Sequence, residues 1–424
     1  MPRIQRAKLT CPALANYFRQ AFRPKDEWMV GIEVETMGRN AKTSRPLPYE
    51  AGGTDIRRVI EAYAGARGGS LVLEGDRPVG IDGPWGGITL EPGGQVEWSS
   101  RPAADLTTLG GDFDAHAKTM RQVAETLGAA WLDVAVEPET PVSEMPWVPK
   151  ARYGIMRDTM AAKGRLAHRM MTQTASIQCA FDYASDEDWT RKFRAAALLT
   201  PVAVAMFANS SRVDGKDSGW ASYRQAIWRE TDPDRCDLPP VVFDKRFDVD
   251  AWVEWVCDVP TLFLRRANGL IASGGTPLRA LLDNCGCDAV TMEDWELHLS
   301  SIFTEVRSYS YIEVRSADRL PDPLVLAVPA FWTGILYDDR ALDEALALGA
   351  PFDAPAAWRR GMDLAAREGL RGSVNGTSLA TLAARAVAIS AASLRRGIPC
   401  AGQGEGAAAL ARYASAKELG GAGR

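Results

Sequence analysis

A chain of 424 residues with 46% hydrophobic and 24% charged side chains can bury a large core and is too apolar to be disordered. Its net charge of −5 leaves no broad basic surface for nucleic acid, and the Lys/Arg clusters at 191–194, 359–360 and 395–396 are short. No apolar run reaches ~18 residues and Met1 to Ala7 carry no apolar h-region, so neither a membrane span nor secretion is expected, and the expected compartment is the cytoplasm.

Taken in chain order, Thr10 to Phe22 reads as an amphipathic helix closed by Pro24. A strand follows from Trp28 to Glu35, ending at Gly38, then a helix from Thr54 to Ala64 with Thr54 as its N-cap. Ser70–Glu74 and Val79–Asp82 form a hairpin. The segment 85–100 is dense in glycine, which serves either turns or close approach to a ligand. It has neither the Gly-Lys-Ser/Thr ending of a P-loop nor a Gly-x-Gly-x-x-Gly run before a helix, so any nucleotide must be held in another way. A long helix over 102–127, a strand over 130–136 and a Pro-rich loop lead to a helix over 151–163. The strand Thr174–Tyr183 precedes a helix over 185–207, where Ser185 and Asp188 have capping-box spacing. Residues 208–236 are polar and irregular. Beyond them lie a helix over 250–258, a strand over 261–265, helices over 277–283 and 291–303, and a strand from Tyr309. From Pro321 to Arg396 the pattern is helical, and the Gly/Ala-rich 401–424 reads as a tail holding a loose helix. The expected organisation is one domain over 1–400 followed by that tail.

Four of these strands share an unusual pattern. In 309–318, Ile312 and Val314 point one way while Tyr311, Glu313 and Arg315 point the other. Val30, Ile32 and Val34 oppose Glu33 and Glu35; Val96 and Trp98 oppose Gln95, Glu97 and Ser99; Ile177, Cys179 and Phe181 oppose Ser176, Gln178 and Asp182. A single Glu–Arg pair on a strand is ordinary solvated surface. Four strands that each turn oxygen ligands to one side converge if they share a sheet, and hard cations are collected by such oxygens. Glu33, Glu35, Glu97, Gln178 and Glu313, with Glu91 nearby, would suit magnesium, and Arg315 on the same face would complement phosphoryl charge. The loop bearing Arg224, Trp228, Arg229 and Arg235 could clamp a substrate carboxylate, or pair with Asp232, Asp234 and Asp237 on the surface.

Seven scattered cysteines, of which only Cys285 and Cys287 are close, give no tetrahedral zinc site and read as reduced thiols. The three histidines, His116, His168 and His298, occur in no His-Glu-x-x-His or hydrolase pattern; His116 reads as a solvated or packing residue of its helix.

Several runs together resemble glutamate–cysteine ligases of the plant and proteobacterial type, within the glutamine-synthetase-like carboxylate–amine ligases. They are Gly31 to Glu35, Leu90 to Glu97, 191–210, Ile227 to Arg235, Asp294 to His298, Tyr311 to Arg315 and Pro329 to Trp332, in that order over about 28–340. The resemblance implies an α+β fold: a curved, mainly antiparallel sheet forming a funnel, with helices on its outer side. It implies ATP and magnesium, and transfer of phosphate to the γ-carboxylate of glutamate before an amine, cysteine or another, displaces it. Carried over, Glu33, Glu35, Glu97, Gln178 and Glu313 match metal ligands, with Glu91 beside them; Arg315 matches the phosphoryl-facing arginine and Arg224 a glutamate-binding one. Trp228, Arg229, Arg235, Gln173 and Tyr311 complete the expected substrate contacts, and the partners are small molecules acting on a monomer or homodimer. The chain departs from the family's Arg-Thr-Cys-Thr-Val-Gln-Val-Asn-like run at Gln173, in place of arginine, and at Ala180, in place of asparagine. Losing a charged fork beside a ligand-facing strand alters which donor or acceptor fits. Three expectations follow: a ligase serving glutathione or a related thiol, a ligase using a different amine or acid, and a binding protein without turnover. Glu313 together with Arg315 weighs against the last, because binding alone does not call for a phosphoryl-facing arginine.

Overall fold

The computed structural model describes residues 9–283 and 290–418. The Cys285–Cys287 pair lies outside the described residues. One sheet of nine strands organises the chain. Its strands are β1 (Val30–Asn40), β2 (Ser70–Glu74), β3 (Arg77–Gly83), β4 (Gly86–Leu90), β5 (Val96–Ser100), β6 (Ala129–Leu132), β7 (Ser176–Phe181), β8 (Val306–Ser308) and β9 (Ile312–Asp318). The spatial order is β8-β9-β7-β1-β5-β4-β3-β2, with β6 paired to the far end of β1, and every pairing is antiparallel. The sheet is open, with β8 and β2 at its edges.

The two faces divide as the alternation requires. Val30, Ile32 and Val34, with Ile177, Cys179, Phe181, Ile312, Val314 and Trp98, are buried on one side. Against that side pack the helices Ile56–Arg67, Leu106–Leu127, Asp186–Phe207 and Ala327–Leu336. Burying this many aliphatic and aromatic groups, each worth about 1.5–3 kcal/mol, pins the register, since a one-residue slip would put the carboxylates into the core. The other face carries Glu33, Glu35, Glu97, Gln178, Glu313 and Arg315.

Most elements fall where periodicity places them, and the differences have local causes. The second helix starts at Ile56 and is capped by the Asp55 carboxylate, which accepts from Arg58 N–H, while Thr54 Oγ1 donates to Leu127 O. The long helix begins at Leu106 with Asp105 as its cap. Ser185 caps the 186–207 helix as its spacing suggests. The helix expected within 401–424 is Glu405–Ala416, and it is seated on Ala327–Leu336 and Leu379–Arg395, with Leu410 and Tyr413 buried. Its small residues, which suggested looseness, let it approach closely. Tyr413 Oη donates to Met206 O, so Tyr413→Phe should destabilise the protein by about 1 kcal/mol in urea denaturation.

His116, read as a solvated or packing residue, is buried, stacked on Trp98 with its Nδ1 bonded to Tyr63 Oη. The five described cysteines are free and buried.

Candidate active site

The register gathers the acidic residues. Glu35 lies opposite Glu97, and Glu33 lies between Ser99 of β5 and Gln178 of β7. Glu313 of β9 is opposite Ala180, one pleat along from Gln178 on the same face of β7. Thr89 Oγ1 donates to Glu97 at 2.7 Å, and Ser176 donates to Glu35 through its N–H at 2.5 Å and its hydroxyl at 2.9 Å. Glu91 begins the turn to β5, where its N–H donates to Gln95 O, and accepts from Tyr153 Oη at 3.4 Å. Glycine density here serves the turn: Gly94 has φ +85°, and a Cβ on Gly93 would collide with the Thr172 carbonyl.

Arg315 is placed by a defect in the sheet. The β9–β7 register shifts between Val314 and Ala317, a bulge that leaves Arg315 and Ser316 facing Gln178. The Arg315 N–H donates to Glu305 O at 3.0 Å, and its Nη1 reaches both Glu313 Oε2 at 2.8 Å and Gln178 Oε1. Arg307, in the short β8, holds Glu313 from the other side through Nε and Nη2. Nothing in the sequence pattern singled out Arg307, because three residues are too few to show alternation. Its only signal is the spacing of six from Glu313, which a hairpin would bring opposite. Lys150, also missed, is packed near Glu91, with its Nζ on Leu90 O and Tyr153 Oη.

The electrostatics follow from burying like charges together. Burial, then Glu313, pushes Glu33 up to about 7 despite Arg307 and Arg315. Burial, then Glu97 and Glu91, pushes Glu35 up to about 8. Burial and the neighbouring Glu33 and Glu91 raise Glu97 well above the ordinary carboxylate range. Glu313 behaves oppositely: burial works against its charge, but Arg307 and Arg315 more than offset it and hold its carboxyl below the ordinary value. Among the described residues no three His, Cys, Asp or Glu side chains close into a metal site unaided. Glu313 is committed to its arginines and Glu35 to Ser176.

The expected substrate residues divide. Arg224, on the helix Tyr223–Arg229, is buried beneath the bulge, with its Nη2 donating to Arg315 O at 3.0 Å and Nη1 3.7 Å from Asp318. Among the described residues, its Nε and Nη1 have no hydrogen-bond partner. The Trp228 ring lies 5.9 Å from the Arg224 guanidinium and 6.0 Å from that of Arg315. Tyr311 lines a cleft of about 280 Å³ together with Glu33, Ser99 and Ala180. Arg229 and Arg235 are not brought to this face. Arg229 pairs with Asp363, and Arg235 is fully buried, with its donors spent on Asp232, Ser301 and the Pro260 carbonyl. Gln173 is also fully buried, donating to Thr140 O at 2.6 Å and accepting from Arg169 at 3.0 Å.

Comparison with known proteins meets this geometry. The family model of glutamate-cysteine ligase family 2 (GCS2) matches residues 29–422. A chloroplastic glutamate–cysteine ligase of Medicago truncatula is 37% identical over 377 residues, which is 88% of this chain and 72% of that protein. Its counterpart in Arabidopsis thaliana is 37% identical over 88% of this chain and 70% of its own length. A crystal structure of a Francisella tularensis glutamate–cysteine ligase in complex with AMP has the same fold, with a TM-score of 0.55 at 11% identity, covering 94% of this chain and 82% of that one. The open antiparallel sheet backed by helices, and an acidic face crossed by an arginine, therefore belong to an enzyme of the ligase class. Specifically, the chain belongs to glutamate–cysteine ligase family 2.

The same relatives correct one expectation. The matched plant proteins, including one from Brassica juncea, are named as chloroplastic, which overturns the cytoplasmic assignment. An organellar address is read from a targeting segment, and the composition of a folded enzyme carries no trace of it.

Proposed function

We propose that this chain uses ATP to join the γ-carboxylate of L-glutamate to the amino group of L-cysteine through a γ-glutamyl phosphate. The observation that carries this reading is the bulge that aims Arg315 across the acidic face, between Glu313 and Gln178. An arginine held by two acceptors at the edge of a carboxylate cluster is placed to meet phosphoryl charge as it develops. Arg224 and the Trp228 ring form the wall beyond it, and the positive charge of Arg224 is the one we assign to the α-carboxylate of glutamate. We read residues 9–418 as a single catalytic unit including the C-terminal helix, working as a monomer or homodimer on small molecules.

The carboxylates fit a divalent cation. Glu33, Glu35 and Glu97 raise one another's pKa, and no Lys or Arg is ion-paired with them among the described residues. Glu33, Glu35, Glu97, Gln178 and Glu313, with Glu91 beside them, are the residues that would hold magnesium. Bound there, magnesium would supply charge neutralisation between two approaching anions.

This gives a pH prediction with a definite sign. The folded values of Glu33 and Glu35, about 7 and about 8, lie above the ordinary 4.5. Their contribution to stability is therefore full below about 4.5 and lost as pH rises through about 7 to 8. Without magnesium, Tm should fall across that window more steeply than in Glu33→Gln/Glu35→Gln, and magnesium affinity by calorimetry should strengthen with pH. A wild-type slope equal to that of the double variant would remove the basis for the metal assignment.

Ala180 favours a second reading, in which the acceptor or donor differs. It is half-buried and lines the cleft beside Glu33, so the smaller side chain there leaves room. Phosphate release from ATP, measured with glutamate and a panel of amines, decides between them. Turnover dependent on cysteine supports the first reading, turnover only with another amine supports the second, and none with any amine overturns both.

A further inference from the structure

Lys150 brings a cation to the Glu91 end of the acidic face. It precedes the helix Ala151–Ala161 and is half-buried. Its backbone is fixed on both sides. Val148 N–H donates to Pro92 O at 2.8 Å, which ties the segment to the turn after Glu91, and Lys150 N–H donates to Val148 O at 2.9 Å. Ala151 N–H donates to the Glu74 carboxylate at 2.6 Å, and Tyr153 Oη donates to Leu90 O at 2.6 Å. Arg152 turns the other way, over the Phe263 ring and 3.5 Å from Ser300 Oγ, and the Ser300 carbonyl in turn accepts from Arg307. The segment therefore runs from the end of β4 to the approach of β8, on the side where Glu91 and Arg307 lie.

The Lys150 ammonium is positioned without being neutralised. Its Nζ lies 3.3 Å from Leu90 O and 3.2 Å from Tyr153 Oη. Both acceptors are neutral, both bonds are longer than the roughly 2.7–2.9 Å of a charge-assisted pair, and an ammonium has a third donor to give. The carboxylates whose field reaches it are Glu91, Glu97 and Glu74, and none is ion-paired with it among the described residues. Arg307 and Arg315, by contrast, are both spent on Glu313. A half-buried charge resting on two neutral oxygens is completed by an anion.

We infer that Lys150 binds the carboxylate of the amine acceptor, so that the acceptor is an α-amino acid and not a simple amine. This rests on the reading above, in which Arg224 takes the α-carboxylate of glutamate. The γ-linked product then carries a carboxylate at each end. Arg224 under β9 and Lys150 beside β4 lie at opposite ends of the row of carboxylates, with β7, β1 and β5 between them. An anion brought toward Glu35, Glu91 and Glu97 is repelled unless a cation meets it, so Lys150 selects for that group as well as holding it.

Cysteamine, which is cysteine without its carboxylate, is the probe. The wild-type KM for cysteine should lie about ten- to a hundredfold below that for cysteamine, the range of one hydrogen bond to a charged group. Lys150→Met should raise the KM for cysteine by most of that factor and collapse the difference, and Lys150→Arg should restore most of it. A merely structural lysine would raise both values alike. That result overturns the inference, as do equal KM values for the two acceptors in the wild type. If Lys150→Met does not fold, as read by Tm, calorimetry on the wild-type protein decides: γ-glutamylcysteamine should bind more weakly than γ-glutamylcysteine by the same factor, and equal affinity overturns the inference. Absence of turnover with every amine is a different failure, which overturns the proposed function and this inference with it.

Discussion

Replacing Arg315 by lysine is expected to lower kcat by about 10²–10³-fold, the effect of losing one preorganised donor to a developing oxyanion. The charge is kept, so the loss would come from geometry. Arg315 spans Glu313 and Gln178 with one guanidinium while its backbone is fixed by the bulge. A lysine ammonium is a point charge on a flexible stem and cannot keep both contacts and face a third group. Single-turnover measurement of γ-glutamyl phosphate formation, with Tm as the control for folding, would check this. A variant within tenfold of wild type in that step would reduce Arg315 to a structural partner of Glu313. Arg307 provides the contrast. It touches Glu313 and not Gln178, and it also donates to Ile302 O at 3.0 Å, so Arg307→Lys should act through the position of Glu313 and show mainly in the magnesium requirement.

Asp318→Ala should cost about 3–5 kcal/mol of stability, the range for stripping one partner from a buried ion pair. Asp318 is 1% exposed at the end of β9. It accepts from Asn209 N–H at 2.8 Å, Ser210 Oγ at 2.7 Å and Ser222 Oγ at 3.0 Å, and faces Arg224 at 3.7 Å. Removing it strands two hydroxyls, an amide and a guanidinium, and unties the 208–224 segment from the strand that carries Arg315. Urea denaturation measures the loss. Asp318→Asn, which keeps the shape and one of the two acceptor oxygens, should recover part of it. If both variants unfold at the wild-type midpoint, this network does not anchor Arg224.

What the residues disclosed in advance, and what they concealed, divides on physical lines. Alternation at period two exposes which side of a strand is wet, and Glu33, Glu35, Glu97, Gln178 and Glu313 were legible for that reason. The bulge at Arg315 leaves no mark on alternation, since one inserted residue in a short strand is indistinguishable from a register choice. Arg224, Arg229 and Arg235 look alike in the sequence, yet one lies under the sheet, one pairs with Asp363 and one is sealed inside. Tertiary placement alone separates them. A helix within 401–424 was legible but its packing was not, because Gly and Ala are read locally as looseness, whereas packed against two other helices they permit close approach. Thr54 and Asp55 are adjacent and equally good caps, and only the approach of Leu127 decides between them.

One consequence concerns the proposed acceptor, itself a thiol. Cys179 is on β7 next to Gln178, but its sulfur points into the apolar layer, and burial, then Glu313 and Glu33, raises its pKa well above the ordinary value. Cys11, Cys236, Cys257 and Cys400 are likewise enclosed. An incoming cysteine, or the cystine formed when it oxidises, would therefore meet none of these as an exchange partner. Under oxidative stress, these positions should resist S-thiolation by the very metabolite the enzyme is proposed to consume.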